Sequence, residues 1–161
     1  MQRNERILSI WKTLALELQE TYGYKQSTLI AQLRIEGDAI PLTAFGHNFT
    51  PLEAAARYLQ YAGKTSKETA HLLGRTRSAI ERALLHSHLK AKTIAYTETE
   101  YLIPASAFKA TRPASEALCT YLREHYAFTN KQIADALHID QRTVWTVLDR
   151  ATKRKQYNNK Q

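Results

Sequence analysis

An all-α fold, made of two copies of one helical unit behind an N-terminal helical segment, is what this sequence predicts from three observations. The first is an internal repeat: Ile40-Pro41-Leu42-Thr43-Ala44-Phe45 returns as Ile103-Pro104-Ala105-Ser106-Ala107-Phe108. The match continues with Glu53-Ala54 against Glu116-Ala117 and Tyr58-Leu59 against Tyr121-Leu122. After a one-residue gap, Thr65, Lys67, Ala70, Leu73 and Leu84 meet Thr129, Lys131, Ala134, Leu137 and Leu148. An ordered series with matching apolar positions marks a unit of about 50 residues that occurs twice. The second observation is apolar residues recurring at helical spacing within each copy. The third is a set of capping residues placed where those helices begin.

The elements follow in chain order. Residues 1–39 open with an amphipathic helix of about 18 residues, because Ile7, Leu8, Trp11, Leu14, Ala15 and Leu18 share one face. This helix is also the candidate surface for a homodimer. Tyr22-Gly23-Tyr24 with Leu29, Leu33 and Ile35 echoes Tyr126-Ala127-Phe128 with Ile133, Leu137 and Ile139. Two readings stay open there: a third copy truncated at the Gly37-Asp38 turn, or an ordinary helical pair packed on the first unit.

The first unit spans 40–90. Pro41 suits the first turn of a short helix, where a missing N–H costs nothing. Thr50-Pro51-Leu52-Glu53 reads as an N-cap, a proline at the first helical position and a capping-box glutamate, followed by the stripe Leu52, Ala55, Ala56 and Leu59. Thr65-Ser66-Lys67-Glu68 is a second capping box. It starts a short helix over 66–73 that buries Thr69, Ala70 and Leu73. Gly74-Arg75 turns, Thr76 caps, and the last helix buries Ile80, Ala83 and Leu84. Residues 91–102 form the connector, and the alternating, Thr- and Tyr-rich run Lys92 to Tyr101 predicts an extended segment.

The second unit, 103–155, repeats the plan. Pro104 matches Pro41, and the capping box Thr129-Asn130-Lys131-Gln132 opens a helix over 130–137 that buries Ile133, Ala134 and Leu137. His138-Ile139 turns, Asp140 caps, and Val144, Val147, Leu148 and Ala151 form the last apolar stripe. The polar residues 156–161 read as a frayed tail. A short helix, a tight turn and a second amphipathic helix make a helix-turn-helix, so each unit of three or four helices carries one.

The net charge is +8 and the sequence pI about 9.6. Residues 1–50 hold five Lys/Arg and five Asp/Glu, residues 51–102 eight and five, and residues 103–161 ten and five. The positive excess lies where the motifs lie, which points to a polyanionic partner. No apolar run reaches the roughly 18 residues of a membrane span, and Met1-Gln2-Arg3-Asn4-Glu5 opens no signal peptide. A cytoplasmic, nucleoid-associated protein without membrane contact is expected. Cys119 is the sole cysteine and reads as a buried core residue. His86 and His88 are two apart, on different helix faces, and lack ligands at metal spacing. Glycines are scattered singly, and Glu98 and Glu100 read as a solvated edge of the connector. No enzyme activity, cofactor or metal is expected.

The run Thr129 to Val144, through the spacing of Thr129, Ile133-Ala134, Leu137, Ile139 and Thr143-Val144, resembles the helix-turn-helix of LuxR-type regulators and of sigma-factor region 4. The resemblance covers about 40 residues, 113–155, and the rest of neither family is recognisable. It implies that the helix beginning at Gln141 is a recognition helix. Its outward residues then meet DNA: Gln141, Arg142, Thr143, Trp145, Thr146 and Arg150 toward bases, with Lys153, Arg154 and Lys155 where phosphates pass. Trp145 has three readings, as a half-buried core residue, a contact with DNA sugar and methyl groups, or a protein contact. Thr129 and Lys131 start the supporting helix. The first copy offers Arg77, Ser78 and Arg82 on its last helix, Arg75 just before that helix, and Lys67 with Thr65 at the start of the supporting helix, with Glu81 as a repulsive or cytosine-pairing element.

The expected function is therefore sequence-specific binding of double-stranded DNA by a small transcription regulator. Two alternatives are a protein-interaction adaptor, for RNA polymerase or a chromatin-like assembly, and the DNA-recognition subunit of a transposase or recombinase system.

Overall fold

The computed structural model describes residues 38–158 except 47, 98, 110 and 111, and in the N-terminal region residues 13, 17 and 20. Met1–Gly37 and Asp38–Gln161 are separate units. In the first, Thr13, Glu17 and Glu20 are helical and exposed, at the spacing of one helix face. The apolar positions expected for this helix, and the candidate third copy before Gly37, lie outside the described residues.

The second unit is mostly helical. Its order is β1 (Ala39–Pro41), a 3-10 turn (Leu42–Ala44), α1 (Pro51–Tyr61), α2 (Ser66–Leu73), α3 (Arg77–Lys90), β2 (Leu102–Pro104), a second 3-10 turn (Ala105–Phe108), α4 (Ala114–Tyr126), α5 (Asn130–Leu137) and α6 (Gln141–Asn158). Local chemistry sets the helix starts. Thr50, Thr65 and Thr129 each accept from the backbone N–H three residues on, while Glu53, Glu68 and Gln132 reach back to the cap N–H. Thr76 accepts from the Ala79 N–H, and Asp140 accepts from the Arg142 N–H at 2.7 Å. α6 runs to Asn158, three residues into the stretch expected to fray.

Three helices, α2, α4 and α5, end on a left-handed residue. Gly74 closes α2 at φ +61°, and its counterpart His138 closes α5 at φ +52°. After the first helix of each copy, Gly63 sits at φ +86° and its counterpart Ala127 at φ +54°. An L side chain in that region costs about 1–2 kcal/mol, part of which the freer unfolded state of glycine cancels. Ala127 is exposed, so Ala127→Gly should stabilise the chain by about 0.5–1 kcal/mol. A denaturant midpoint that falls instead of rising would contradict this.

The core is continuous across both copies. Leu59, Leu73 and Ile80 in the first and Leu122, Ile133 and Val144 in the second are fully buried, joined by Ile40, Ile103 and Phe108. Of the stripe expected on α6, Val144 is buried and Val147, Leu148 and Ala151 are only half-buried. Cys119 is buried as expected, and desolvation pushes its thiol up to about 11, so it stays protonated.

A pair of short strands, not foreseen in the sequence, joins the copies. Pro41 and Pro104 end these strands and at the same time cap the short helical turns expected there, which are 3-10 turns starting at the next residue. β1 and β2 pair antiparallel with Ile40 opposite Ile103, Ala39 opposite Pro104 and Pro41 opposite Leu102. In repeat terms Ile103 is Ile40, Pro104 is Pro41 and Leu102 is Ala39, so the pairing exchanges the copies. The hydrogen bonds do likewise: Leu42 N–H donates to Tyr101 O at 2.9 Å, and Ala105 N–H to Asp38 O at 3.0 Å. Phe45 stacks on its own counterpart Phe108, ring centres 6.0 Å apart. Gly46 lies against the His138 ring, while Gly74, the counterpart of His138, lies against the backbone of Lys109, the counterpart of Gly46. Self-pairing in antiparallel sense, together with contacts that exchange between the copies, requires a two-fold axis, so an approximate two-fold relates the copies.

The connector does not hang free between them. Arg57, buried on α1, donates to Ser87 O at the end of α3 and to Lys92 O at 2.9 Å. Tyr96 packs on Tyr58 and Tyr61, at 5.1 and 4.9 Å between ring centres, and Thr43 donates to Thr97 O. At its far end the Tyr126 hydroxyl accepts from Leu102 N–H and donates to Leu102 O. The described residues of the connector are not helical, as expected, and among them Leu102 alone belongs to a strand, as the first residue of β2.

Candidate nucleic-acid interface

α6 begins after the His138-Ile139 turn with its axis anchored by Val144, which is fully buried against the α4–α5 pair. Burying position 144 turns Gln141, Arg142, Thr143, Trp145, Arg150 and Lys153 outward, and all six are exposed. Thr146 is half-buried and spends its hydroxyl on Arg142 O at 2.9 Å, within the helix. A shallow depression runs along one side of the helix, lined by Asp140, Arg142, Thr143, Thr146, Val147 and Arg150. Trp145 is 60% exposed, which sets aside its reading as a core residue. It borders a second groove with Arg123, Asn130 and Lys155.

The cations divide into engaged and available groups. Among the described residues, the side chains of Arg142, Arg150 and Lys131 form no ion pair. Lys153 pairs with Asp149 at 2.7 Å, one turn away and well solvated, an interaction worth little and easily exchanged. Arg154 is different. Its Nε and Nη2 donate to both oxygens of Glu116, at 3.1 and 3.3 Å, and Glu116 is buried. The middle residue of the basic run Lys153-Arg154-Lys155 therefore ties α6 to α4. Thr129 is likewise occupied in its capping box, with Lys131 exposed two residues on.

The first copy presents a poorer surface. Arg75 turns inward and donates to Arg112 O at 2.8 Å, binding the two copies together. Arg77 pairs with Glu81 at 2.7 Å. Ser78, Arg82 and Lys67 are exposed. Farther along, Leu85 and Leu89 stand where α6 has Asp149 and Lys153, and both are exposed, at 59% and 78%. The outer face of α3 thus turns apolar where that of α6 stays charged.

The sequence missed the residues that hold these helices in place. Lys90, the counterpart of Arg154, donates to Glu53, the counterpart of Glu116, at 2.7 Å. Matching buried carboxylates thus latch the end of α3 and of α6 in each copy. The repeat alignment already paired Glu53 with Glu116, which was the available signal. His86 lies 3.8 Å from Glu53 and His88 bonds Gln60, so the two histidines serve different partners. Among the described residues no helix is long and apolar enough to cross a membrane. In comparisons with protein-family models, curated proteins and solved structures, nothing matched this chain.

Proposed function

We propose that this chain binds double-stranded DNA in a sequence-specific manner, through a helix-turn-helix in each copy, as a small transcription regulator. The main support is the outward face of α6. Arg142, Thr143 and Arg150 share one exposed side of a helix fixed by Val144 and by the Glu116–Arg154 latch, and Gln141 is exposed at its N-terminal end. Gln suits adenine, Arg suits guanine, and Thr suits the thymine methyl, while Lys131 and Lys153 lie where phosphates would pass. A rigid helix presenting uncommitted bidentate groups in a basic region is what groove reading requires. α6 is the stronger reader and α3, with Arg77 held by Glu81, the weaker.

The test is fluorescence anisotropy on duplexes enriched from a random pool. Affinity should fall steeply with salt, with a log–log slope of about −4 to −5 if four to six phosphates are neutralised. Arg142→Ala should weaken binding to the selected duplex by about 1–3 kcal/mol and relax preference at one base pair. Salt-insensitive binding, or an unchanged affinity for this variant, would remove α6 as the reader.

A second reading has its own observation. Exposed Trp145, Leu85 and Leu89 would suit a protein partner, such as an RNA polymerase surface, and an apolar interface of that kind changes little with salt.

A further inference from the structure

We propose that the DNA target is an imperfect inverted repeat, with the half-sites read in opposite orientations at one fixed separation by α6 and α3. The inference rests on the DNA-binding reading and adds to it the symmetry of the site. Self-similarity in a sequence is silent about geometry, because a tandem translation and a rotation give the same repeat. The contacts between the copies decide. In a translated array, counterparts that meet do so in parallel sense, and off-axis contacts run one way, from each copy to the next, without exchange. Here Ile40 faces Ile103 and Phe45 stacks on Phe108. The off-axis contacts come in exchanged pairs: Leu42 with Tyr101 and Ala105 with Asp38, Gly46 with His138 and Gly74 with Lys109. One chain thus has the arrangement that a two-fold dimer would have.

Two helices related by a two-fold meet the strands of a duplex in inverted sense, as symmetric dimers do on palindromes. The separation is set by packing instead of by the connector, since the strand pair, the Phe45–Phe108 stack and the Arg75–Arg112 hydrogen bond fix one copy on the other. The symmetry is broken on the outer face. Gln141, Arg142, Trp145 and Thr146 of α6 correspond to Arg77, Ser78, Glu81 and Arg82 of α3, so the two half-sites differ in sequence.

The full-length chain should be used to select duplexes from a random pool at about physiological salt, followed by binding to edited versions of the winner. The expected winners carry two short elements on opposite strands at constant spacing. Reversing one element, or inserting five base pairs between them, should weaken binding at least about tenfold. Arg142→Ala should relax preference in one element and Arg82→Ala in the other. Same-strand elements, variable spacing, or a single element indifferent to its flank would overturn the inverted arrangement while leaving DNA binding intact. No enrichment, together with salt-insensitive binding, would overturn both.

Discussion

Phe108→Ala is expected to destabilise the chain by about 3–5 kcal/mol, the usual cost of emptying a fully buried aromatic site. Phe108 is 0% exposed and stacks on Phe45 where the two-fold passes, so its removal leaves a void that neither copy can fill alone. Close-packed interiors relax only in part around such a void, and the remaining ring loses its aromatic partner as well. The melting temperature should fall by about 10–15 °C. The shape of the transition is as informative as its position. If the two copies form one cooperative body, both unfold in a single step at the lower temperature. Copies that merely share a tether would melt separately, with the first almost unaffected. Leu89→Ala is the control, because Leu89 is 78% exposed and its truncation should shift stability by less than about 0.5 kcal/mol.

The helices were legible in the sequence because their signals are local. A threonine and a Glu or Gln three residues on are enough to place a helix start, and α2 and α5 have the expected bounds, 66–73 and 130–137. The strand pair was not legible. Three-residue strands carry no periodicity, and the bond between Ile40 and Ile103 depends on bringing distant segments together. Pro41 and Pro104 serve two elements at once, closing a strand and capping a 3-10 turn, and only the turn has a local signal. The same limit explains Arg154. In sequence it is the centre of a basic run suited to phosphates. In space it meets a carboxylate 38 residues away, and nothing in its neighbourhood announces that partner. Trp145 is adjacent to buried Val144, at the edge of the apolar stripe, so the helix period leaves its readings open and only the packing exposes it.

The matching carboxylate latches support a second large effect, Arg154→Met, expected to cost about 2–4 kcal/mol at neutral pH. Most of that cost arises from what is left behind: Glu116, buried, without its bidentate cation. Removing the carboxylate instead leaves a half-exposed guanidinium that water can solvate, so Glu116→Gln should be milder. Replacing both, as Glu116→Leu with Arg154→Met, should recover most of the loss. That double variant is also the proper background for asking whether position 154 touches phosphate, since it lacks the cation but keeps the fold. In the first copy, Lys90→Met should show the same effect with a pH signature. Burial raises the pKa of Glu53, but the Lys90 hydrogen bond, the Thr50 N–H and the Lys90 charge outweigh it and hold the carboxyl below its ordinary 4.5. A folded pKa below the unfolded one stabilises the protein above pH 4.5, and that contribution disappears as pH falls through the lowered value. The penalty of Lys90→Met should therefore shrink on acidification below about pH 4.5, as the carboxyl of Glu53 becomes protonated in both proteins. Denaturant unfolding of wild type and variant between pH 3 and 7 measures it, and a penalty independent of pH would mean that Lys90 acts through packing of its stem instead of through its charge.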